Sequence, residues 1–168
     1  VMMEIFPEAD FSFSLSTDSV CSPLELIMPA IFSASTFNWD FGNGETSNEA
    51  QPHMLIANET GELLASTVVF SGTSAFGCSD THEQTVHVKP QPVAEITLAS
   101  ANGGCAPFDA MFNNNSTNGD VYTWNFGDGS EEAQANGDVN HAFQTASETA
   151  NYTVTLTATD ALGCADTT

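Results

Sequence analysis

One pattern of seven residues occurs twice in this chain. Asn38-Trp39-Asp40-Phe41-Gly42-Asn43-Gly44 returns as Thr123-Trp124-Asn125-Phe126-Gly127-Asp128-Gly129, with the tryptophans 85 positions apart. Cys21-Ser22-Pro23 returns as Cys105-Ala106-Pro107 at a spacing of 84, and Ala75 to Thr81 returns as Ala161 to Thr167 at 86. Three landmarks in the same order at one spacing constrain the chain to a tandem of two domains. The phase of the repeat adds a boundary. Val1 to Ala9 matches Val86 to Ala94, with Pro7 aligned to Pro92. Residues 1–5 therefore read as the closing strand of a preceding repeat, residues 6–90 as the first domain, and residues 91–168 as a second domain lacking its last strand. A longer array is the natural expectation.

The hydropathy pattern is β throughout. Phe11, Phe13 and Leu15 alternate with polar residues, as do Ile96 and Leu98, and each run reads as a first strand with one buried face. Val121 to Phe126 alternates cleanly into Gly-Asp-Gly, and Tyr152 to Thr159 is β-branched and alternating, with Leu63 to Ser71 as its counterpart. Asn43-Gly44 and Asp128-Gly129 are tight-turn dipeptides, because Asn or Asp followed by Gly tolerates positive φ. Short turns are expected at Glu131 to Gly137 and Gln144 to Ala150. About seven short strands per repeat point to a small antiparallel sandwich.

Composition bounds the partners. The 168 residues include 22 Asp plus Glu against a single Lys or Arg, for a formal net charge of −21. Nothing here neutralises phosphates, which excludes electrostatic binding to nucleic acid or to an anionic membrane. No apolar run approaches the roughly 18 residues of a membrane span, so membrane insertion is not expected. With 41% hydrophobic residues the chain still buries a core. A lysine-poor, acid-rich surface suits a salty, extracellular setting, where counter-ions screen self-repulsion. Four cysteines allow three connectivities. The repeat selects Cys21 with Cys78 and Cys105 with Cys164, one bridge per domain, in an oxidising compartment.

Trp-Asn-Phe-Gly-Asp-Gly-Ser, then His141-Ala142-Phe143, then Asn151-Tyr152-Thr153-Val154-Thr155-Leu156 and Thr159-Asp160 resemble the PKD (polycystic kidney disease) domain. The early Cys-x-Pro and late Gly-Cys-x-Asp-Thr are similar to PKD repeats of Bacteroidetes secreted proteins. The resemblance is strong in the second repeat and weaker in the first, where Asn43 replaces Asp128 and Ser66 stands near the place of Tyr152. It implies two immunoglobulin-like β-sandwiches, a family used as spacers and adhesion modules in surface proteins and beside the catalytic domains of hydrolases. The tryptophans Trp39 and Trp124 then bury their rings between the sheets, with Phe41 and Phe126 on the same face and Tyr152 beside them. Gly42, Asn43 and Gly44, and Gly127, Asp128 and Gly129, form the turns.

Chemistry-bearing motifs are sparse. The four histidines are His53, His82, His87 and His141, two of them in matching places of the repeats. There is no nucleophile elbow, phosphate-cradling glycine loop or zinc-protease motif, and no catalytic residue is assigned. No cofactor is required. Calcium is the candidate ligand, with Asp80, Asp128, Asp160 and Asp166 as turn carboxylates of the right hardness. Asn58, Asn115 and Asn151 match the N-glycan sequon. Asp18-Ser19-Val20 and Asp166-Thr167-Thr168 resemble the short O-glycosylation sites of Bacteroidetes, marking Ser19 and Thr167. The expected function is a non-catalytic repeat of a secreted surface filament or adhesin, whose partners are neighbouring repeats or subunits joined head-to-tail through residues 1–5, with surface or glycan ligands unidentified. The alternative is an accessory glycan-binding pair of a secreted hydrolase.

Overall fold

The computed structural model describes residues 1–15, 19–134, 137–144 and 149–168, and every regular element among them is a β-strand. The chain divides into two compact units, Val1–Pro90 and Gln91–Thr168.

Unit one contains β1 (Ser19–Cys21), β2 (Leu24–Ile27), β3 (Ala34–Asp40), β4 (Thr46–Ser47), β5 (His53–Ile56), β6 (Leu64–Ser74) and β7 (Ser79–Lys89). One sheet has the order β1-β7-β6-β3-β4, and β2 with β5 forms the other. All pairings are antiparallel except β1 with β7, which run parallel with Cys21 opposite Lys89. Alternation decides which side chains turn inward. Leu24, Leu26, Met54 and Ile56 from the small sheet meet Trp39, Val68, Phe70, Val86 and Val88 from the large one in a single buried core.

Unit two contains β8 (Ile96–Leu98), β9 (Phe108–Asn114), β10 (Val121–Asn125), β11 (Glu131–Gln134), β12 (Val139–Phe143), β13 (Thr155–Thr159) and β14 (Ala165–Thr167). Its sheets have the orders β11-β10-β13-β14 and β12-β9-β8. The first of these repeats the β4-β3-β6-β7 order of unit one. Both units carry a cis peptide before the matching proline, Ser22-Pro23 and Ala106-Pro107.

Several expectations change. Phe11 and Phe13 are buried as the alternation requires, but residues 1–15 form no strand. Side chains replace the ladder there: the Asp80 carboxylate accepts from the Phe11 amide at 3.0 Å, and the Gln84 carbonyl oxygen accepts from the Leu15 amide at 2.8 Å. Residues 1–5 are exposed and outside any strand. Glu131 to Gln134 is a strand rather than a turn, because it pairs with Tyr122 to Asn125. Of the second expected turn, residues 145–148 lie outside the described residues.

The disulfide pairing is corrected. Cys78 and Cys105 are free thiols, whereas Cys21 and Cys164 are disulfide-bonded. Within a unit the matched cysteines sit at opposite ends. Cys21 lies opposite Lys89 at the end of β7, and Cys78 precedes the first residue of that 11-residue strand. At about 3.3 Å per residue they stand tens of ångströms apart, far beyond the roughly 7 Å limit on Cα separation in a disulfide. In unit two, Cys164 lies in the β13–β14 turn near Asp120, while Cys105 precedes the other end of β9.

The glycine after each Trp-x-Phe is dictated by space. Gly42 and Gly127 both have φ of 75°, and an added Cβ would lie 2.6 Å from the Thr67 carbonyl oxygen or 2.5 Å from that of Thr153. Gly129, at φ 94°, has nothing within 4 Å of that position. Gly127→Ala should therefore destabilise by about 2 kcal/mol or more, combining left-handed strain with a backbone clash. Gly129→Ala should cost about 1 kcal/mol from strain alone. Thermal unfolding of the two variants checks the ordering, and equal midpoints would contradict it.

Candidate functional site

Trp39 and Trp124 are fully buried. Trp39 packs edge-on to Phe13 and tilted on Phe70, and Trp124 packs against Phe112 and Phe126. Neither ring presents a face to solvent, so neither is a sugar-stacking platform. Phe41 and Phe126 are buried beside them, and Tyr152 is half-buried, stacked on Phe143 with its hydroxyl donating to the Gln144 carbonyl.

The densest polar constellation is the β10–β11 corner of unit two. Asp128 accepts from the Ser130 amide at 3.0 Å and from the Ser130 hydroxyl, and His141 Nε2 lies 2.7 Å from the other carboxylate oxygen. An ionised carboxylate only accepts, so Nε2 carries the proton. The His141 ring stacks on Phe126 at a centroid distance of 3.9 Å. Acid, imidazole and hydroxyl are all present, but the wiring is wrong for nucleophilic catalysis. Both the serine and the histidine donate to Asp128, whose lowered pKa makes it a weak base, and the protonated Nε2, 3.4 Å from the serine hydroxyl, has no lone pair to take its proton. The corner is a clamp on the turn. The Ser130 hydroxyl, then His141, then the Ser130 amide hold the Asp128 pKa at about 2, well below the usual 3.8.

Unit one lacks this clamp. Asn43 accepts from the Glu45 amide, and His53 is exposed opposite Ile27. Ser66 occupies the gap instead, donating to the Phe41 carbonyl at 2.6 Å while buried. His82 packs edge-on to Phe13, and His87 is half-buried on β7.

The four calcium candidates are not brought together. Asp80 and Asp166 accept from the amides of Phe11 and Ala94, and Asp160 accepts from the amides of Leu162 and Cys164 across the β13–β14 turn. Asp128 and Asp160 lie at opposite ends of the five-residue β13, too far apart to share an ion. Among the described residues no cluster of three potential metal ligands exists.

The modification candidates divide by exposure. Asn58 is 5% exposed and fully engaged: its amide nitrogen donates to the carbonyls of Glu62 and Val88, and its oxygen accepts from Thr60. Its side chain holds the turn in this fold, a role that the sequon pattern hid. Ser19, Asn115, Asn151 and Thr167 are exposed, with Thr167 sharing a hydrogen bond with Thr157. Asp18 lies outside the described residues. Sequence reading also missed an open cavity of about 450 Å³ in unit two, lined by Leu98, Phe108, Ala110, Phe112, Tyr152 and Val154 among others.

Two outcomes follow from these contacts. Because the folded Asp128 pKa lies below its unfolded value, the stabilisation it contributes is complete above about pH 5 and is lost as pH falls towards 2. The difference in urea stability between the parent chain and Asp128→Asn should stay constant from about pH 7 to 5 and then shrink; a gap that persists at pH 2 would contradict the clamp. Asn58→Ala should destabilise by about 1–3 kcal/mol, since it strands the buried Val88 carbonyl. Denaturant titration reads that loss.

Residues 87–168 match the family model for the PKD domain. No curated protein matches the chain. PKD domains are generally non-catalytic and typically extracellular, and no helix among the described residues is long and apolar enough to cross a membrane. Residues 87–168 are thus similar to the PKD domain, a family whose members generally supply structure or binding.

Proposed function

We propose that the chain is a non-catalytic structural segment of a secreted cell-surface filament or adhesin, with unit one a second module of PKD type. The observation that carries this reading is that the polar groups most suggestive of chemistry are consumed in holding turns. Asp128, Ser130 and His141 satisfy one another, and Asp80, Asp160 and Asp166 bond backbone amides. The matching sheet orders, cis prolines and glycine corners support a tandem origin for the two units. The partners are then neighbouring modules of the same kind. An acidic surface keeps such an array soluble in salty surroundings.

Burial of both tryptophans also weighs against the hydrolase-accessory role, which needs exposed rings on which to lay a polymer. Incubation with insoluble chitin and cellulose decides between them. The expected result is no more retention than an acidic control protein of equal charge. Specific retention, competed by soluble oligosaccharide, would overturn the filament reading.

A further inference from the structure

The four cysteines occupy two places in the fold, each present once per unit. The early place precedes a cis proline: Cys21 stands before Ser22-Pro23 and Cys105 before Ala106-Pro107. The late place ends a tight hairpin turn. There the Cys78 carbonyl accepts from the Ser74 amide at 2.8 Å, and the Cys164 carbonyl accepts from the Asp160 amide at 2.9 Å. The preceding glycines, Gly77 and Gly163, have φ of 83° and 86°. Their amides donate to the Ser74 and Asp160 carbonyls at 3.0 Å in each case. Backbone of one shape thus presents both late cysteines.

Oxidation state divides each place. Of the early cysteines, Cys21 is disulfide-bonded and Cys105 is an exposed thiol. Of the late ones, Cys164 is disulfide-bonded and Cys78 is a half-buried thiol. Each place therefore holds a half-cystine in one unit and a thiol in the other. The oxidised set is one early and one late cysteine, and so is the reduced set. Neither thiol can close on the matched cysteine of its own unit, because that residue is already oxidised.

We propose that Cys78 and Cys105 are the two halves of an intermolecular disulfide, in which Cys105 of one copy of this chain bonds to Cys78 of another. Cys21 and Cys164 show that both places of the fold accommodate a half-cystine. Pairing early with late is heterologous, so each bond leaves one thiol of each kind on the product and links add in line. Symmetric Cys105–Cys105 bonding alone would stop at a dimer.

The bond needs an oxidant of the disulfide class. The Cys105 thiolate attacks oxidised glutathione and releases one reduced glutathione. The Cys78 thiolate of the second copy then attacks the Cys105 sulfur of the mixed disulfide and releases the other. Two protein thiols are oxidised and one glutathione disulfide is reduced. This inference rests on the structural reading above and supplies the covalent bond for its module-to-module joint.

Non-reducing electrophoresis with peptide mapping tests it on the unmodified chain in a buffer of oxidised and reduced glutathione. The expected result is a ladder of dimers and longer species. Within the ladder bands, Cys78–Cys105 links should exceed Cys105–Cys105 links roughly tenfold, since only a fitted approach raises the effective concentration of one thiol at another. Unguided oxidation gives the reverse ratio, because Cys105 is the more exposed thiol. Cys78→Ser and Cys105→Ser should each remain monomeric alone. Mixed in equal amounts they should form dimers and nothing longer, as each then offers one thiol of the pair. The mapping arm needs no substitution, so a variant that fails to fold does not remove the test. A predominance of Cys105–Cys105 links, intermolecular links through Cys21 or Cys164, a Cys78–Cys105 bond confined to the monomer, dimers of either variant alone, or thiols that persist without a ladder would each overturn the proposal. Such a failure would leave the non-catalytic reading standing, since polymer retention decides that separately.

Discussion

The closing segment of β7 is the constraint on which the rest of unit one depends. A two-layer sandwich keeps its core dry only if the last strand of the larger sheet runs the full length of its neighbour. Val86 and Val88 do this, each burying a side chain worth about 1.5–3 kcal/mol. For a domain of this size, whose net stability is of the order of 5–15 kcal/mol, that pair is a large share. The same backbone also anchors β1, the Asn58 turn and the cis-proline segment at Ser22. Removing the segment would release several elements together rather than one.

Both units solve a second problem, how to reverse the chain directly after a buried Trp-x-Phe, with the same glycine and different polar partners. In unit one the small Ser66 hydroxyl reaches the Phe41 carbonyl from within the core. In unit two the equivalent space belongs to Tyr152, whose ring stacks on Phe143. There the turn is gripped from outside by Ser130 and His141 through Asp128. A buried hydroxyl is short and neutral and needs no charge near it. A surface carboxylate clamp works only while it is ionised, which makes the second corner the acid-sensitive one.

Much of the architecture was legible in the amino-acid order. The alternation at Val121 to Phe126 marks β10 because side-chain period and burial coincide, and the glycines after it are recoverable from turn chemistry alone. The N-terminal segment was legible in burial but not in hydrogen bonding: Phe11 and Phe13 turn inward, yet Asp80 and Gln84 side chains take the place of a partner strand. The cysteines show the limit of repeat logic. A repeat identifies equivalent residues, and equivalence carries no information about distance; Cys21 and Cys78 are matched to opposite ends of one long strand. Asn58 was hidden for a related reason, since a three-residue sequon reports nothing of the long-range carbonyl of Val88 that captures its amide.

The account's central claim is that the tail of β7 shelters the β6 backbone it pairs with in unit one, whereas Ala150–Tyr152 pairs with no strand among the described residues. Amide hydrogen exchange on the dilute chain tests it directly, comparing Leu64–Ser66 with the equivalent backbone at Ala150–Tyr152. The account predicts protection approaching the global stability of unit one for the first segment and rapid exchange for the second. Equal, strong protection of both segments would contradict it.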